Sequence, residues 1–164
     1  MKTYNLHANE QVLDNGTWCI PLKEQPPEGL QGKYLLNEKK LVFTKELSTL
    51  RPTTYEWNGD WHTFLQYPTG SIVRIREQAK SIALRGRWVE SCKVEITGNS
   101  VKMARTISPK LAQKIGIKLE DKQLWTIAIV DWFNSRYGNK RRKNKVTWED
   151  NPYVNLVTYK RRVK

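Results

Sequence analysis

Hydrophobic side chains recur at helical spacing between residues 121 and 138 of the chain. The apolar positions, which share one face of a helix, are Leu124, Trp125, Ala128, Ile129, Trp132 and Phe133. Asp121 precedes this run as an N-cap residue, and Gly138 follows it, where a residue without a Cβ ends a helix at little cost. The pattern predicts a helix from 121 to 138 that buries this face.

Residues in a strand alternate between two faces, and the segment from 71 to 77 follows this rule. Val73, Ile75 and Glu77 share one face, and Arg74 and Arg76 share the other. We expect the apolar face to point inward and to carry Glu77 with it. Because burying an unpaired charge is costly, Glu77 must find a partner or take up a proton. Glu77 is therefore the main candidate for chemistry, with a structural ion pair to a nearby Arg or Lys as the alternative.

Further strands and turns complete the predicted order of elements. Strands are expected at 41–43, 91–97, 100–105 and 153–159, and turns at the Asn-Gly or Gly-Asn pairs of 15–16, 58–59 and 98–99. Ser108 and Pro109 predict the start of a short helix that Gly116 ends. Apolar side chains on both faces of the last strand favour a closed barrel or a sheet covered by helices. The order of the elements predicts an α+β fold.

The length of 164 residues suits one domain with a substantial core. Residues 1–33 are polar and contain a Pro-Pro pair, so we predict a lead-in arm over 1–33 and a single domain over 34–164. Cys19 and Cys92 lie far apart and indicate no disulfide framework. Neither a signal peptide nor an apolar run of about 18 residues is seen, which favours a cytoplasmic protein without a membrane partner. A monomer or a small homo-oligomer is expected.

The formal net charge of +13 is large for this length. Residues 140–164 carry nine Lys or Arg against two acids, a net +7, and the other 139 residues carry 20 against 14, a net +6. Self-repulsion of this size destabilises a compact chain, so an anionic partner is expected. Nucleic acid is the first expectation, and an acidic protein surface is the second.

Several chemistries lack the residues that they need. The glycines form no phosphate-binding loop, His7 and His62 lie far apart, and no Cys-x-x-Cys pair occurs. We therefore expect no metal and no cofactor. A Ser-His-Asp triad is disfavoured because both histidines lie in stretches with weak structural signals. Seven Trp and seven Tyr on a basic chain instead suit phosphate contacts combined with base stacking.

Four segments resemble, in the same order, those of the ASCH family, a branch of the PUA-like fold, and particularly its bacteriophage-encoded members. The first is the turn and strand of residues 67–77, which ends in Arg76-Glu77. The second is the Arg87-Trp88 pair with the strand that follows it, and the third is the strand and short helix of 101–116. The fourth is the closing segment of 148–154 with the basic end at 160–162. The likeness covers residues 66–162.

The resemblance implies an α+β fold built on a PUA-like β-barrel flanked by two or three helices. Some ASCH relatives act on RNA or hydrolyse modified cytidine, with a lysine and a glutamate in the cleft of the barrel. In this sequence the glutamate corresponds to Glu77, and Lys40 or Lys45 would supply the amine by position. The Gly-x-Lys-x-x-Glu-x-Arg motif of the family is not met at its spacing around these lysines.

Charge and resemblance together predict a nucleic-acid-binding protein, with RNA favoured over DNA. The strand, or a nucleotide splayed from it, is expected in a basic cleft beside Glu77. The residues expected to bind it are Arg51, Arg74, Arg76, Arg85, Arg87, Lys140, Arg141, Arg142, Lys143, Lys145, Lys160, Arg161 and Arg162. A hydrolase acting on RNA or on a modified nucleobase, with Glu77 and Lys40 or Lys45, is the second hypothesis. A basic module that binds an acidic protein is the third.

Overall fold

The computed structural model of the chain describes residues 1–7, 9–22, 31–35, 40–46, 52–57, 66–79, 86–119, 124–139 and 145–162. For the three segments between 31 and 57 it describes the backbone. The strands in these ranges are β1 Lys2–Asn5, β2 Asn15–Pro21, β3 Gln31–Leu35, β4 Lys40–Glu46, β5 Pro52–Trp57, β6 Ile72–Gln78, β7 Trp88–Met103 and β8 Tyr153–Arg161. The α-helices are α1 Pro109–Gln113 and α2 Trp125–Tyr137, and short 3-10 helices lie at Ala104–Thr106 and Trp148–Asp150.

Five strands form a mixed sheet in the order β1-β6-β7-β8-β2. β1 runs parallel to β6, and the other neighbouring strands are antiparallel. Strands β3, β4 and β5 form a second, antiparallel sheet. The sheets and helices confirm the α+β class. Among the described strands the larger sheet is not closed, and both of its edge strands come from the segment 1–33.

The five-stranded sheet is strongly curled, as the close approach of its two edge strands shows. Tyr4 of β1 and Trp18 of β2 stack with ring centroids 4.1 Å apart and an interplanar angle of 3°. In a flat sheet, four strand spacings of about 4.8 Å would separate these edges by roughly 19 Å. Tyr67 packs edge-on against both rings, 6.1 Å from Tyr4 and 5.2 Å from Trp18. The curl therefore encloses an aromatic core.

Two hydrophobic clusters occupy the two faces of this sheet, because alternation sends Trp18 and Cys19 of β2 to opposite sides. The inner cluster, inside the curl, contains Tyr4, Leu6, Trp18, Tyr67, Val73, Ile75, Val94, Ile96, Val157 and Tyr159. The helix cluster, beneath α1 and α2, contains Cys19, Ala104, Ile107, Ala112, Ile115, Ile117, Ile129, Trp132, Phe133, Tyr137, Val154 and Leu156. Strand β8 supplies residues to both clusters, which confirms the prediction that both of its faces are buried.

Helix α2 confirms the predicted helix and most of its apolar face. Its buried residues are Tyr137 and four of the predicted ones, Ala128, Ile129, Trp132 and Phe133. Gly138 is the C-cap, and its N–H donates to the carbonyl of Asn134 at 2.9 Å. Leu124 was predicted to be buried and is 65% exposed, because it is the N-cap residue and its extended backbone precedes the first turn. The N-cap predicted at Asp121 lies outside the described residues.

Helix α1 begins as its sequence predicts, but it ends at Gln113 with Lys114 as the C-cap, before the predicted end at Gly116. The hydroxyl of Ser108 accepts a hydrogen bond from the N–H of Leu111 at 3.2 Å, and Pro109 is the first helical residue. Gly116 follows the helix with φ +80°, a conformation that residues with a Cβ rarely adopt. A Cβ at Gly116 would also overlap the carbonyl oxygen of Gln11, which packs directly against it.

Glu77 does not point into the core, contrary to the prediction. The alternation of β6 holds, since Val73 and Ile75 are fully buried, but Glu77 is exposed. Strand β1 pairs with β6 from Val73 to Arg76, so Glu77 lies beyond the covered part of the strand, opposite Val89 of β7. A period of two identifies the face of a residue, but not whether another element covers that face at its position.

Two predicted turns are extended strands instead. Asn15 and Gly16 begin β2 and pair with β8, and a Cβ at Gly16 would overlap the ring of Tyr159. The glycine therefore serves a close approach between strands rather than a hairpin. Strand β7 continues through the second predicted turn, where its register against β8 shifts between Ile96 and Gly98. The turn predicted at 58–59 lies outside the described residues.

A buried carboxylate joins the two clusters. Glu10 is 5% exposed and accepts hydrogen bonds from Tyr4 Oη at 3.2 Å, from Trp132 Nε1 at 3.0 Å and from Arg136 Nη1. Arg136 Nη2 also donates to the carbonyl of Asn5 at 3.2 Å. Because Tyr4 belongs to the inner cluster and Trp132 to the helix cluster, Glu10 ties helix α2 to the edge of the curled sheet.

We expect the substitution Glu10→Ala to lower the free energy of unfolding by about 3–5 kcal/mol, because it leaves the guanidinium of Arg136 buried without its carboxylate. Urea denaturation measures the difference. Glu77→Ala removes an exposed acid and is the matched control, with an expected change within about 0.5 kcal/mol. Equal effects of the two substitutions would contradict the role assigned to Glu10.

Candidate functional site

A groove rich in cations lies where β8 ends, between β7 and β2. It has a volume of about 870 Å³. The residues that line it are Asp14, Asn15, Glu90, Ser91, Cys92, Lys93, Lys160, Arg161 and Arg162. Four of these nine side chains are cations and two are acids, so the lining carries a net positive charge. We call this cavity the basic groove.

Backbone hydrogen bonds hold the three strands together at this end of the sheet. The N–H of Arg161 donates to the carbonyl of Asp14 at 2.8 Å, and the N–H of Arg162 donates to the carbonyl of Lys93 at 3.0 Å. Alternation along β8 sends Lys160 and Arg162 to one face and Arg161 to the other. The end of β8 therefore presents cations on both sides of the sheet, on a backbone that is fixed by its neighbours.

The carboxylate of Glu90 lies between two cations. It is 3.1 Å from Nε of Arg74 and 4.0 Å from Nζ of Lys93. Arg74 and Lys93 are register partners on β6 and β7, so the carboxylate arranges cations in a row across the sheet. The three side chains are 34% to 46% exposed. Exposed ion pairs such as these contribute little to stability.

The structure brings several predicted binding residues together. Lys160, Arg161 and Arg162 line the basic groove, and Arg74 lies beside the groove through its ion pair with Glu90. Arg76 lies on the same face of β6 as Arg74 and is half-buried. Burial alternates along β6, so Arg74 and Arg76 share one face of the strand, as predicted.

Other predicted binding residues lie away from the basic groove. Arg87 precedes β7 and is exposed, and Lys145 is also exposed. Neither residue lines the groove. The predicted residues that lie outside the described part of the chain are Arg51, Arg85, Lys140, Arg141, Arg142 and Lys143.

A second cavity, of about 470 Å³, opens beside the end of helix α2 and the edge strand β1. Its aromatic walls are Tyr4, Tyr67, Trp88 and Tyr137. The other residues in its lining are Thr3, Asn5, His7, Ile20, Gln66, Ser135, Arg136 and Asn139. We call this cavity the aromatic cleft. Aromatic walls with a few converging polar groups are typical of sites for small molecules.

Arg136 is the charged group within the aromatic cleft, and its charge is balanced. Burial acts to lower the pKa of Arg136, but Tyr4, Tyr137 and Glu10 outweigh burial and raise it above its ordinary value. The side chain of Arg136 is 13% exposed and pairs with Glu10. Arg136 also lies in the last turn of α2, where a cation complements the helix dipole.

The phenols of the aromatic cleft stay neutral. Burial raises the pKa of Tyr67 to about 12 and also raises the pKa of Tyr4 and Tyr137 above the ordinary value. Tyr67 Oη donates to the carbonyl of Thr3 at 2.9 Å, and Tyr137 Oη donates to the carbonyl of Cys19 at 2.7 Å. These hydrogen bonds hold Tyr67 and Tyr137 in place, and both side chains are buried, 3% and 7% exposed.

The predicted catalytic residues lie in different sheets. Glu77 is on β6 of the five-stranded sheet and lines neither the basic groove nor the aromatic cleft. Lys40 and Lys45 are on β4 of the second sheet. Among the described side chains, Glu77 has no lysine as an ion-pair partner.

Sequence reasoning missed Lys93, Glu10 and Arg136. Lys93 alternates with buried Val94, so the period of β7 already placed it on the outer face. Arg136 lies four residues after Trp132, and this spacing predicts that both side chains share the packed face of α2. Glu10 carries no comparable signal in the sequence, because its partners on α2 are more than 100 residues away.

Within the described residues, no three His, Cys, Asp or Glu side chains are grouped as metal ligands. None of the helices in these ranges is long and apolar enough to cross a bilayer. Comparisons of the chain with protein-family models, with curated proteins and with solved structures gave no match. The two cavities are therefore the basis for inferring function.

We expect iodoacetamide to alkylate one thiol per chain in the folded protein and two after denaturation. Cys92 is half-buried and lines the basic groove, whereas Cys19 is fully buried and its burial raises the pKa of the thiol far above the ordinary value. The thiolate is the reactive form, so Cys19 is doubly protected. Mass spectrometry of the intact and digested protein identifies the modified residue. Rapid alkylation of Cys19 in the folded protein would contradict the packing described here.

Proposed function

We propose that the protein binds single-stranded nucleic acid, RNA in preference to DNA, through phosphate contacts in the basic groove. The observation that supports this is that Lys93, Lys160, Arg161 and Arg162 all line one groove at the end of β8, with Arg74 alongside. Cations in a groove neutralise backbone phosphates and release counterions, which favours binding without a requirement for base sequence. The net charge of +13 agrees with an anionic partner. The preference for RNA rests on the ASCH resemblance, and the proposal includes the cytoplasmic location that was expected from the sequence.

In this proposal the curled sheet belongs to a PUA-like barrel, as the ASCH resemblance implies. Stacking of Tyr4 on Trp18 brings the two edge strands of the sheet together, as the wall of a barrel requires. The helices α1 and α2 lie over the outer face of this wall, on the helix cluster. These features support a barrel, because side chains fill the interior of a small barrel and helices can then pack against its outer face.

Two other functions have less support. Hydrolysis of RNA or of a modified nucleobase requires Glu77 beside Lys40 or Lys45, but Glu77 is exposed and the two lysines lie on a strand of the other sheet. Binding of an acidic protein would use the same cations as RNA. The acidic-protein hypothesis gives the aromatic cleft no role, so we rank this hypothesis third.

The logarithm of the affinity for single-stranded RNA should fall with the logarithm of salt concentration with a slope of about −3, because each of four cations contributes roughly 0.7. The double substitution Arg161→Ala and Arg162→Ala should reduce this slope by about 1.4. Fluorescence anisotropy with a labelled strand of about 12 nucleotides, a length within the range of known single-strand sites, measures both slopes. Bound RNA should also slow the alkylation of Cys92, which lines the same groove.

The matched control is Lys110→Ala with Lys114→Ala. These exposed lysines belong to the α1 region, so their removal changes the net charge equally without touching the basic groove. We expect the slope of this variant to equal that of the unmodified protein. Equal losses in the two double variants would show that overall charge, and not the groove, determines binding. A slope near zero for the unmodified protein would contradict phosphate binding altogether.

Substitution of Glu77 tests the hydrolase hypothesis separately. We expect Glu77→Gln to bind RNA with unchanged affinity, because Glu77 lies outside the basic groove. We also expect the RNA to remain intact with both proteins when it is examined by gel electrophoresis and mass spectrometry. Cleavage or base modification by the unmodified protein that is lost in Glu77→Gln would make the protein an enzyme instead.

A further inference from the structure

Trp88 is a large aromatic residue that the core does not use. It is the first residue of β7, it is 41% exposed, and it belongs to neither hydrophobic cluster. Its indole instead forms one wall of the aromatic cleft. Single exposed apolar residues are common on protein surfaces, but this one borders a cavity large enough for a ligand.

The dimensions and walls of the aromatic cleft suit a planar ring. Its volume of about 470 Å³ lies within the range of sites that bind small molecules. Of its four aromatic residues, Trp88 is the one with an exposed ring, since Tyr4, Tyr67 and Tyr137 are 3%, 3% and 7% exposed. Aromatic side chains hold nucleobases by stacking, which every base permits because each has a π-face.

The electrostatics of the cleft favour a neutral group over a phosphate. Arg136 is paired with Glu10, so the charge of the guanidinium is compensated before any ligand enters. The side-chain amides of Gln66 and Asn139 and the hydroxyl of Ser135 also line the cavity. These groups are polar and uncharged, so they add no electrostatic preference for a phosphate.

Strand β7 connects the aromatic cleft with the basic groove. Trp88 lines the cleft, and the segment from Glu90 to Lys93 lines the groove. Trp88 and Glu90 are two residues apart, which is about 7 Å along a strand. Lys93, the nearest cation of the groove on β7, is five residues from Trp88, roughly 17 Å along the strand, so a bound strand of several nucleotides can place phosphates at Lys93 and a base in the cleft.

We propose that the aromatic cleft holds one unstacked nucleobase of the bound strand, stacked on the indole of Trp88. The inference rests on the proposed function, since the basic groove supplies the phosphate contacts. It adds a second site with a different task. The groove provides charge-dependent affinity, and the cleft distinguishes a strand that carries bases from a bare sugar-phosphate chain.

The experiment compares a single-stranded RNA with an abasic strand of the same length and charge. We expect the unmodified protein to prefer the RNA by about tenfold, the factor that one stacked base supplies. Trp88→Ala should bind both strands equally and keep the same salt slope, because no phosphate contact is lost. Trp88→Phe should restore most of the preference, since it restores a ring for stacking.

Val89→Ala is the control within the same strand. Val89 is 37% exposed, lies on the opposite face of β7 and lines neither cavity, so this substitution should leave the preference intact. Salt-dependent binding without a preference for RNA, or with a preference that survives Trp88→Ala, would overturn the cleft as a base site and leave the groove standing. A lack of salt-dependent binding to either strand would overturn the proposed function and this inference with it.

Discussion

The buried carboxylate of Glu10 is the constraint on which this structure depends most. A charge in an apolar interior must be neutralised and hydrogen-bonded, and Glu10 meets that requirement with groups from two different parts of the chain. Tyr4 comes from the edge strand β1, and Trp132 and Arg136 come from helix α2. Because these partners cannot separate without leaving a buried charge unpaired, the helix and the curled sheet are fixed relative to each other at this point.

Both cavities follow from this arrangement of the sheet. The curl brings the edge strands β1 and β2 together. Arg136, at the end of α2, contacts β1, and the aromatic cleft lies where this helix meets the edge strand. The basic groove lies where β8 ends, and this end is fixed by backbone hydrogen bonds from Arg161 to Asp14, just before β2, and from Arg162 to Lys93 of β7. The cations of the groove are thus carried on paired strands, and in the proposed complex they would lose less conformational freedom than a free basic tail would.

Local periodicity predicted much of the fold, and its failures have a common cause. The face of α2, the alternation of β6 and the double-sided burial of β8 could be predicted, because each depends on neighbours within the same element. The exposure of Glu77 could not, since it depends on where β1 stops. The partnership of Glu10 with Arg136 spans 126 residues, and no local pattern in a polar segment points to it. In the candidate sites, the basic end of β8 was readable from sequence, whereas the role of Trp88 required the tertiary position of β1 and α2.

The compensation of Arg136 by Glu10 also separates the tasks of the two cavities. An uncompensated arginine in the aromatic cleft would attract phosphates and compete with the basic groove for the same part of the ligand. In the proposed complex the charge of Arg136 is balanced, so the cleft would accept a base on Trp88 while Lys160, Arg161 and Arg162 would attract the phosphate backbone. Phosphate contacts position a strand without reading it, and contacts to bases supply discrimination. In the proposed complex, the ion pair that holds helix to sheet would therefore also suit the neighbouring cavity to a neutral base.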